Sequence, residues 1–571
     1  MTTRRSLAAL CAVLLVTLAL PGAAFAHAQL EGTSPERGAT LDSAPTEVVF
    51  EFSEPVEGEF GAIKVFGPGG DRVDNEKLVR ADGGRTISSR VDATEDGTYT
   101  ATYRVISADS HPISGGFVFN VGKSTGSGDV SKLIADQDRN DPVVSGAYSV
   151  AKFISYAALA IVFGGIFFLK FLFLPAVTRC GSGATRTIAP ARERADLLLG
   201  VGIAAGLLAS VAELVLFAST VSGESVLSAI QAHTLSAVLE TRSGFWMAVR
   251  IAVWTAIAIV WFAFARKPRA HGGSAVLLVL LAVAAQTPAL IGHAGATEPR
   301  ILMGAADFVH VAAASIWVGG LVFAFSVLPR ATAAVSPRRR TRLLVEVFAR
   351  FSPVALACVA LIVVSGVFQT IVHLDDLSEL WSAAFGRAIL VKVALLLVLA
   401  ALGAWNRFSV IPQLRRQVAQ EDPPGDAGVT LKRTLSAELV LSFAVLVAAA
   451  LLVGYSPASA ATGPFSTTTT VGPLDLQLTV DPAATGANEV HMYLFDPETG
   501  APFTGTKEIS ASIALEDAEL GPIALELERA GPGHYLAPLA TFAKSGDWDL
   551  DLVVRVSEFD QYEKAIEVPV R

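Results

Sequence analysis

The stretch Gly304-Ala-Ala-Asp-Phe-Val-His-Val-Ala-Ala-Ala-Ser-Ile-Trp-Val-Gly-Gly-Leu-Val-Phe-Ala-Phe-Ser-Val-Leu328 decides the fold. A helix needs about 20 mostly apolar residues to cross a bilayer. This run is long enough, and Asp307 is its one charged residue. Working outward, similar runs occupy residues 146–174, 195–220, 244–265, 274–292, 351–373, 386–405 and 435–455. Together they predict an eight-helix transmembrane bundle over residues 144–456, flanked by polar segments rich in Gly, Thr, Val and acidic residues.

Loop charge orients the bundle. The loops after the first, third, fifth and seventh spans carry the basic residues, among them Arg179, Arg186, Arg192 and Arg194, then Arg266, Lys267 and Arg269. Arg338, Arg339, Arg340 and Arg342 follow, then Arg407, Arg415, Arg416, Lys432 and Arg433. The alternate loops hold Arg242 and Arg300, and one is acidic with Asp375, Asp376 and Glu379. Basic loops stay cytoplasmic, so both polar ends are expected outside a cell membrane. The net charge of −9 comes from those ends. No clustered basic surface suggests a nucleic-acid partner.

Ionisable side chains inside hydrocarbon are costly and mark functional or paired positions. Met303, Asp307 and His310 sit at i, i+4 and i+7, hence on one helix face, and His293 closes the preceding span. A thioether, a carboxylate and two imidazoles suit copper in either oxidation state, Cu(I) included. Singly, Asp307 and His310 read as ordinary buried hydrogen-bonding residues. Glu213, Arg250, Arg387 and Lys392 read as buried ion pairs, and Trp317 as bundle packing.

The chain begins with Arg4-Arg5, an apolar run from Leu7 to Leu20, and Ala24-Phe-Ala26. That is the pattern of a secretory signal peptide, residues 1–26, cut before His27. A terminal histidine offers its α-amine and ring Nδ1 to one metal, which suits tetragonal Cu(II). Cys11 leaves with the signal, and Cys180 and Cys358 fall in the bundle. Neither exported segment therefore has a disulfide framework.

Residues 27–123 alternate as short strands, for example Glu47-Val-Val-Phe-Glu-Phe52 and Thr98-Tyr-Thr-Ala-Thr-Tyr-Arg-Val105. Turn signals separate them, so an all-β Greek-key sandwich is expected. In Asp109-Ser-His-Pro112 the Asp109 and His111 side chains share one side of an extended chain. With His27 they would supply three nitrogens and one oxygen to Cu(II). Alone, Asp-x-His is an ordinary loop.

His27-Ala-Gln-Leu, Ser34-Pro35, Phe52-Ser-Glu-Pro55 and Tyr103-Arg-Val-Ile-Ser-Ala-Asp-Ser-His-Pro-Ile-Ser-Gly-Gly116 resemble the CopC family of periplasmic copper-resistance proteins. The resemblance implies that His27, Asp109 and His111 bind Cu(II). The methionines of the family's Cu(I) site are missing, so a Cu(II)-only domain is expected. Gly292-His-Ala294, Asp307-Phe-Val-His310 through Trp317-Val-Gly-Gly-Leu321, Arg350-Phe-Ser352, Gly386-Arg387 and Lys392 resemble CopD, its membrane partner. The whole is similar to a fused CopC–CopD protein.

After the bundle, 457–470 reads as a linker, as does 124–143 before it. Strand patterns return over 471–571, a second small all-β sandwich that resembles the YtkA-like domain. There His491, Met492 and His534 are candidate copper ligands, although His491 and Met492 point to opposite faces and read as ordinary strand residues.

The expected function is capture of Cu(II) outside the cell and its passage to the bundle for transport, with uptake the preferred direction, in copper homeostasis and resistance. No G-x-x-x-x-G-K-[ST] loop for a nucleotide-driven pump is found, and no enzymatic activity is expected. The alternative is sequestration or sensing at the surface without transport. A more distant one is a copper-dependent oxygenase, in which Asp109 would block the open position. The expected partners are the copper ion, the lipid bilayer and an extracytoplasmic copper chaperone or reductase. The sequence leaves oligomeric state open.

Overall fold

The structure, a computed structural model, describes residues 30–36, 39–58, 62–92, 94–107, 112–122, 142–180, 184–222, 225–265, 271–292, 299–333, 335–374, 377–382, 384–452, 465–481, 483, 485–497, 502–515, 518 and 520–570. The signal segment and His27, Asp109, His111 and His293 lie outside the described residues.

The first β unit is built from β1 (Leu30–Ser34), β2 (Thr40–Leu41), β3 (Glu47–Phe52), β4 (Ile63–Phe66), β5 (Val79–Ala81), β6 (Thr86–Arg90), β7 (Gly97–Ile106) and β8 (Pro112–Val121). They form two four-stranded sheets, ordered β1-β3-β6-β5 and β2-β8-β7-β4. Alternation sends Val48, Phe50 and Phe52 inward, where Phe50 meets Tyr103 and Phe117 edge-on at 5.1 and 5.4 Å. Such edge-to-face pairs add to the burial of the rings themselves. Asp74 ties β4 to the chain that follows it. Its carboxylate accepts from Val65 N at 2.9 Å and from Arg72 Nε at 2.8 Å.

Among the described residues, eight helices are long and apolar enough to cross a membrane. They are α1 (Val143–Arg179), α2 (Ile188–Ser222), α3 (Arg242–Ala263), α4 (Ser274–Ile291), α5 (Arg300–Ala333), α6 (Pro337–His373), α7 (Phe385–Ala419) and α8 (Gly425–Leu452). All eight expected spans are present. Several overrun the expected bounds, chiefly at the arginine-rich ends. There α6 starts at Pro337, α7 runs on to Ala419 and α8 starts at Gly425. Hydropathy marks only the part in hydrocarbon, whereas the helical hydrogen-bond ladder continues past it. Pairs such as Arg350–Glu346, four residues apart at 2.9 Å, support these extensions.

Helix α5 is the core of the bundle, with 67% of its most apolar window buried, whereas α7 has 6% and lies at the periphery. α1 and α5 touch backbone to backbone. A Cβ on Gly319 would fall on the Ala160 carbonyl oxygen, and one on Gly164 would lie 2.7 Å from Gly319 Cα. Only glycine permits that approach. Trp317 is buried in this core.

The last unit pairs a five-stranded sheet with a four-stranded one. The first contains β9 (Phe465–Val471), β10 (Leu474–Asp481), β11 (Gly486–Phe495), β14 (Glu528–Gly531) and β15 (His534–Phe542), ordered β14-β15-β11-β10-β9. The second contains β12 (Glu508–Leu515), β13 (Leu520–Leu525), β16 (Gly546–Arg555) and β17 (Gln561–Val570), ordered β13-β12-β16-β17. Leu476, Leu478, Met492, Phe542 and Trp548 fill the space between them. Residues 465–470, expected as linker, instead form β9. Their Thr-rich run has high strand preference, and β10 offers a free edge, pairing Thr469 with Leu476.

Candidate metal centre

In the first β unit the described flanks place the ends from which the expected ligands depart. Leu30, the first residue of β1, pairs with Phe52. The Phe52 ring lies 5.2 Å from that of Tyr103. Glu57 is bridged to Ile106, Glu57 N donating to Ile106 O at 2.8 Å. Ile106 in turn pairs with Pro112 across the hairpin. The start of β1, the end of β7 and the start of β8 therefore share one end of the sandwich. In the sequence His27 comes three residues before Leu30, and Asp109 and His111 fall between Ile106 and Pro112, outside the described residues.

In the bundle, Asp307 and His310 are half-buried near the start of α5. His310 Nδ1 lies 3.0 Å from Ser365 Oγ on α6. The Ser365 hydroxyl donates its hydrogen to Leu361 O at 2.6 Å, so its oxygen must accept from His310. That assigns the proton to Nδ1 and leaves the Nε2 lone pair available, the arrangement by which a second group orients a metal-binding imidazole. Lys392, half-buried on α7, acts electrostatically on both Asp307 and His310. Tyr156 on α1 feels the Asp307 charge as well. Four helices thus contribute to one polar region. Met303 is fully buried, packed with Ala289 of α4 and Phe368 of α6.

The four residues expected in buried ion pairs come out differently. Glu213 and Arg250 form a buried pair at 2.6 Å, and Ser155 donates to the other Glu213 oxygen. Arg387 is instead exposed and donates to Trp381 O at 3.2 Å, because α7 starts too near the helix end to bury it. Lys392 makes no ion pair within 4.0 Å among the described residues; Asp307 influences it from farther away.

The bundle has polar chemistry that sequence reading missed. Tyr148 and Lys152 stand two turns and one turn before Tyr156, with the Lys152 ammonium 4.2 Å from the Tyr148 ring centre. Lys152 was detectable as a lone cation in an apolar run. Farther along, Asn406 Nδ2 donates to the buried Glu438 at 2.6 Å and Thr434 donates to Asn406 at 2.7 Å. Arg407 donates to Ser352 Oγ at 2.6 Å. This second cluster lies toward the arginine-rich end, whereas Asp307, His310, Ser365, Lys392, Glu213 and Arg250 lie toward the other.

Three family models match the chain in order. The CopC domain matches residues 30–122, the N-terminal domain of copper resistance protein D-like proteins matches 142–301, and copper resistance protein D matches 345–452. The chain is a CopC–CopD fusion of the copper resistance family. Over 510 residues the fusion is 29% identical to the copper transport protein CutJ of Bacillus subtilis, covering 88% of this chain and 87% of that one. Over 122 residues the fusion is 33% identical to protein YobA of Escherichia coli, covering 21% of this chain and 98% of YobA. Residues of the fusion are also 29% identical to copper resistance protein D of Pseudomonas syringae over 47% of this chain and 83% of that one. The fusion is a multi-pass membrane protein, and its Asp307–His310 segment falls between the two CopD matches.

Proposed function

We propose that the fusion captures Cu(II) outside the cell and delivers copper to the bundle for uptake. The mature domain from His27 to Lys123 would bind Cu(II) through the His27 amine and ring, Asp109 and His111. The bundle would receive copper at His310 and Asp307, with His293 and Met303 completing the entry, in either oxidation state. Both β units face the exterior in this reading, and the chain carries metal without catalysing a reaction. An external chaperone or reductase would supply or reduce the ion.

The observation that carries the reading is the His310–Ser365 pair. It holds an imidazole inside the bundle with one nitrogen tied back and the other free, beside a carboxylate, at the arginine-poor end. Basic loops mark the cytoplasmic side, so that end is the outer one. The convergence of β1, β7 and β8 at one end of the sandwich supports the outer site, because in sequence His27 lies three residues before β1 and Asp109 and His111 lie between β7 and β8. The test is copper accumulation in cells or reconstituted vesicles, wild type against His310→Ala. Uptake lost with Cu(II) binding retained supports transport. An unchanged uptake rate overturns it and leaves sequestration.

A further inference from the structure

On β11 and β15 two histidines far apart in sequence meet. His491 lies opposite Leu536 and His534 opposite Tyr493, so the two histidines are diagonal neighbours on one face of the sheet, within reach of long side chains. Their rings are both 4% exposed. His491 Nδ1 is 3.1 Å from His534 Nε2, and the ring centres are 5.3 Å apart with planes 17° apart. An imidazole nitrogen lies about 1.1 Å from its ring centre. The nitrogen separation is therefore close to the shortest that these centres allow, and both nitrogens sit nearly on the line joining them. The in-plane axis of each nitrogen points at the other ring.

Proton bookkeeping follows from the neighbours. His491 Nε2 is 3.3 Å from the Glu489 carboxylate, which takes its N–H. His491 Nδ1 is then an acceptor, and His534 Nε2–H donates to it. This leaves His534 Nδ1 with a lone pair, buried and with no hydrogen-bond partner. Tyr493 stacks on His534 with centres 4.2 Å apart. Gly533, in the left-handed region at φ 65, makes the turn that starts β15 at His534. A Cβ there would lie 2.7 Å from Leu494 O, so the turn is fixed by glycine.

We infer that His491 and His534 form a third copper site, selective for Cu(I), in the C-terminal unit. A metal–imidazole bond is about 2.0 Å, so a linear N–Cu–N bridge needs nitrogens about 4 Å apart. The pair must open by less than about 1 Å, a small side-chain swing. Cu(I) takes the lone pairs of His491 Nδ1 and His534 Nε2, and the bridging proton moves from His534 Nε2 to its unpartnered Nδ1. No electron is transferred. The Glu489 carboxylate, 52% exposed, balances the added charge through His491 and gives the pair access to solvent. Among the described residues no third histidine, cysteine or carboxylate completes a cluster. Two linear ligands satisfy a d10 cuprous ion, whereas Zn(II) requires four and Cu(II) a tetragonal set.

The site does not depend on the transport reading. The test is anaerobic titration of detergent-solubilised full-length protein with Cu(I), supplied as its acetonitrile complex against a chromogenic competitor. Wild type, His534→Gln, His491→Gln and Glu489→Gln are compared, with X-ray absorption on the loaded protein and circular dichroism on each variant. The expected result is one tight equivalent lost in both histidine variants, and binding weakened about 10–100-fold in Glu489→Gln. The His534-dependent copper should show a low-coordinate nitrogen environment. Equal Cu(I) stoichiometry in wild type and a folded histidine variant overturns the proposal, as does His534-dependent binding of Zn(II) with equal affinity. If a histidine variant misfolds, the Glu489→Gln titration decides. Copper uptake unaffected by these variants leaves the site standing.

Discussion

His310 on α5 donates through Nδ1 to Ser365 on α6 at 3.0 Å, so one ring nitrogen is fixed by the helix packing and the other is free to meet a ligand. Removing the hydroxyl should cost orientation without costing the helix. Ser365→Ala is expected to raise the copper concentration for half-maximal uptake about 10–100-fold, with folding intact by circular dichroism. Ser365→Thr should restore most of it. Uptake that ignores both changes would show that the pair is structural only.

The Glu213–Arg250 pair is buried and hydrogen-bonded at 2.6 Å. Breaking such a pair from one side typically costs about 3–5 kcal/mol, because a charge is left unpaired. Glu213→Ala should therefore lower the thermal midpoint of the solubilised protein sharply. Glu213→Ala/Arg250→Ala should recover part of the loss, which a thermal-shift double-mutant cycle measures.

Backbone contact at Gly319 predicts that even one methyl is too much. Gly319→Ala should destabilise by about 1–3 kcal/mol, since the carbonyl it meets belongs to a packed helix. Gly403→Ala is the control, because a Cβ there meets nothing within 4 Å and should be neutral or slightly stabilising. Thermal midpoints of the two variants settle the comparison.

Asp74 gives the first β unit a pH signature. Burial, the largest influence, raises its pKa. The Arg72 hydrogen bond, the Val65 N–H and the Arg72 charge outweigh it and hold the carboxyl below its usual 3.8. The unfolded chain therefore takes up the proton first as pH falls. The stabilisation is complete above pH 3.8 and is lost as pH drops below that value through the lower folded pKa. Hydrogen exchange at Ile63–Phe66, corrected for intrinsic rate, should accelerate there in wild type. Asp74→Asn should show faster exchange at neutral pH and a flatter acid dependence.

One added residue before His27 should weaken Cu(II) binding by orders of magnitude, since it converts the terminal amine into an amide. Electron paramagnetic resonance of the copper-loaded protein should lose its nitrogen-rich signature in the extended form. Retention of the same signal would remove the terminal amine from the proposed ligand set.

Hydropathy is a local property, and this is why all eight spans were legible from sequence. Strand alternation likewise placed Phe50 and Phe52 inward and set Met492 on the face opposite His491. What sequence did not reveal depends on register and helix packing. Ser365 is 55 residues from His310, and His534 is 43 residues from His491. No periodicity within one element encodes such meetings. The ion-pair expectation succeeded for Glu213 with Arg250, where both are deep in facing helices. Arg387, at the mouth of α7, is exposed and so is not the buried group expected. The Thr-rich run before Val471 was taken for linker on composition, yet β-branching and a waiting strand edge made it β9.

The glycine pair Gly319-Gly320 has a consequence for any passenger at His310. On one side Gly319 seals α5 against α1. On the other, a Cβ at Gly320 would lie 2.5 Å from the Phe351 ring of α6, so that seam is plugged too. These contacts lie about 13 Å along α5 from the imidazole, at 1.5 Å of rise per residue, and close both helix seams there. In the uptake proposed above, passage along either α5 seam would require the packed helices to part.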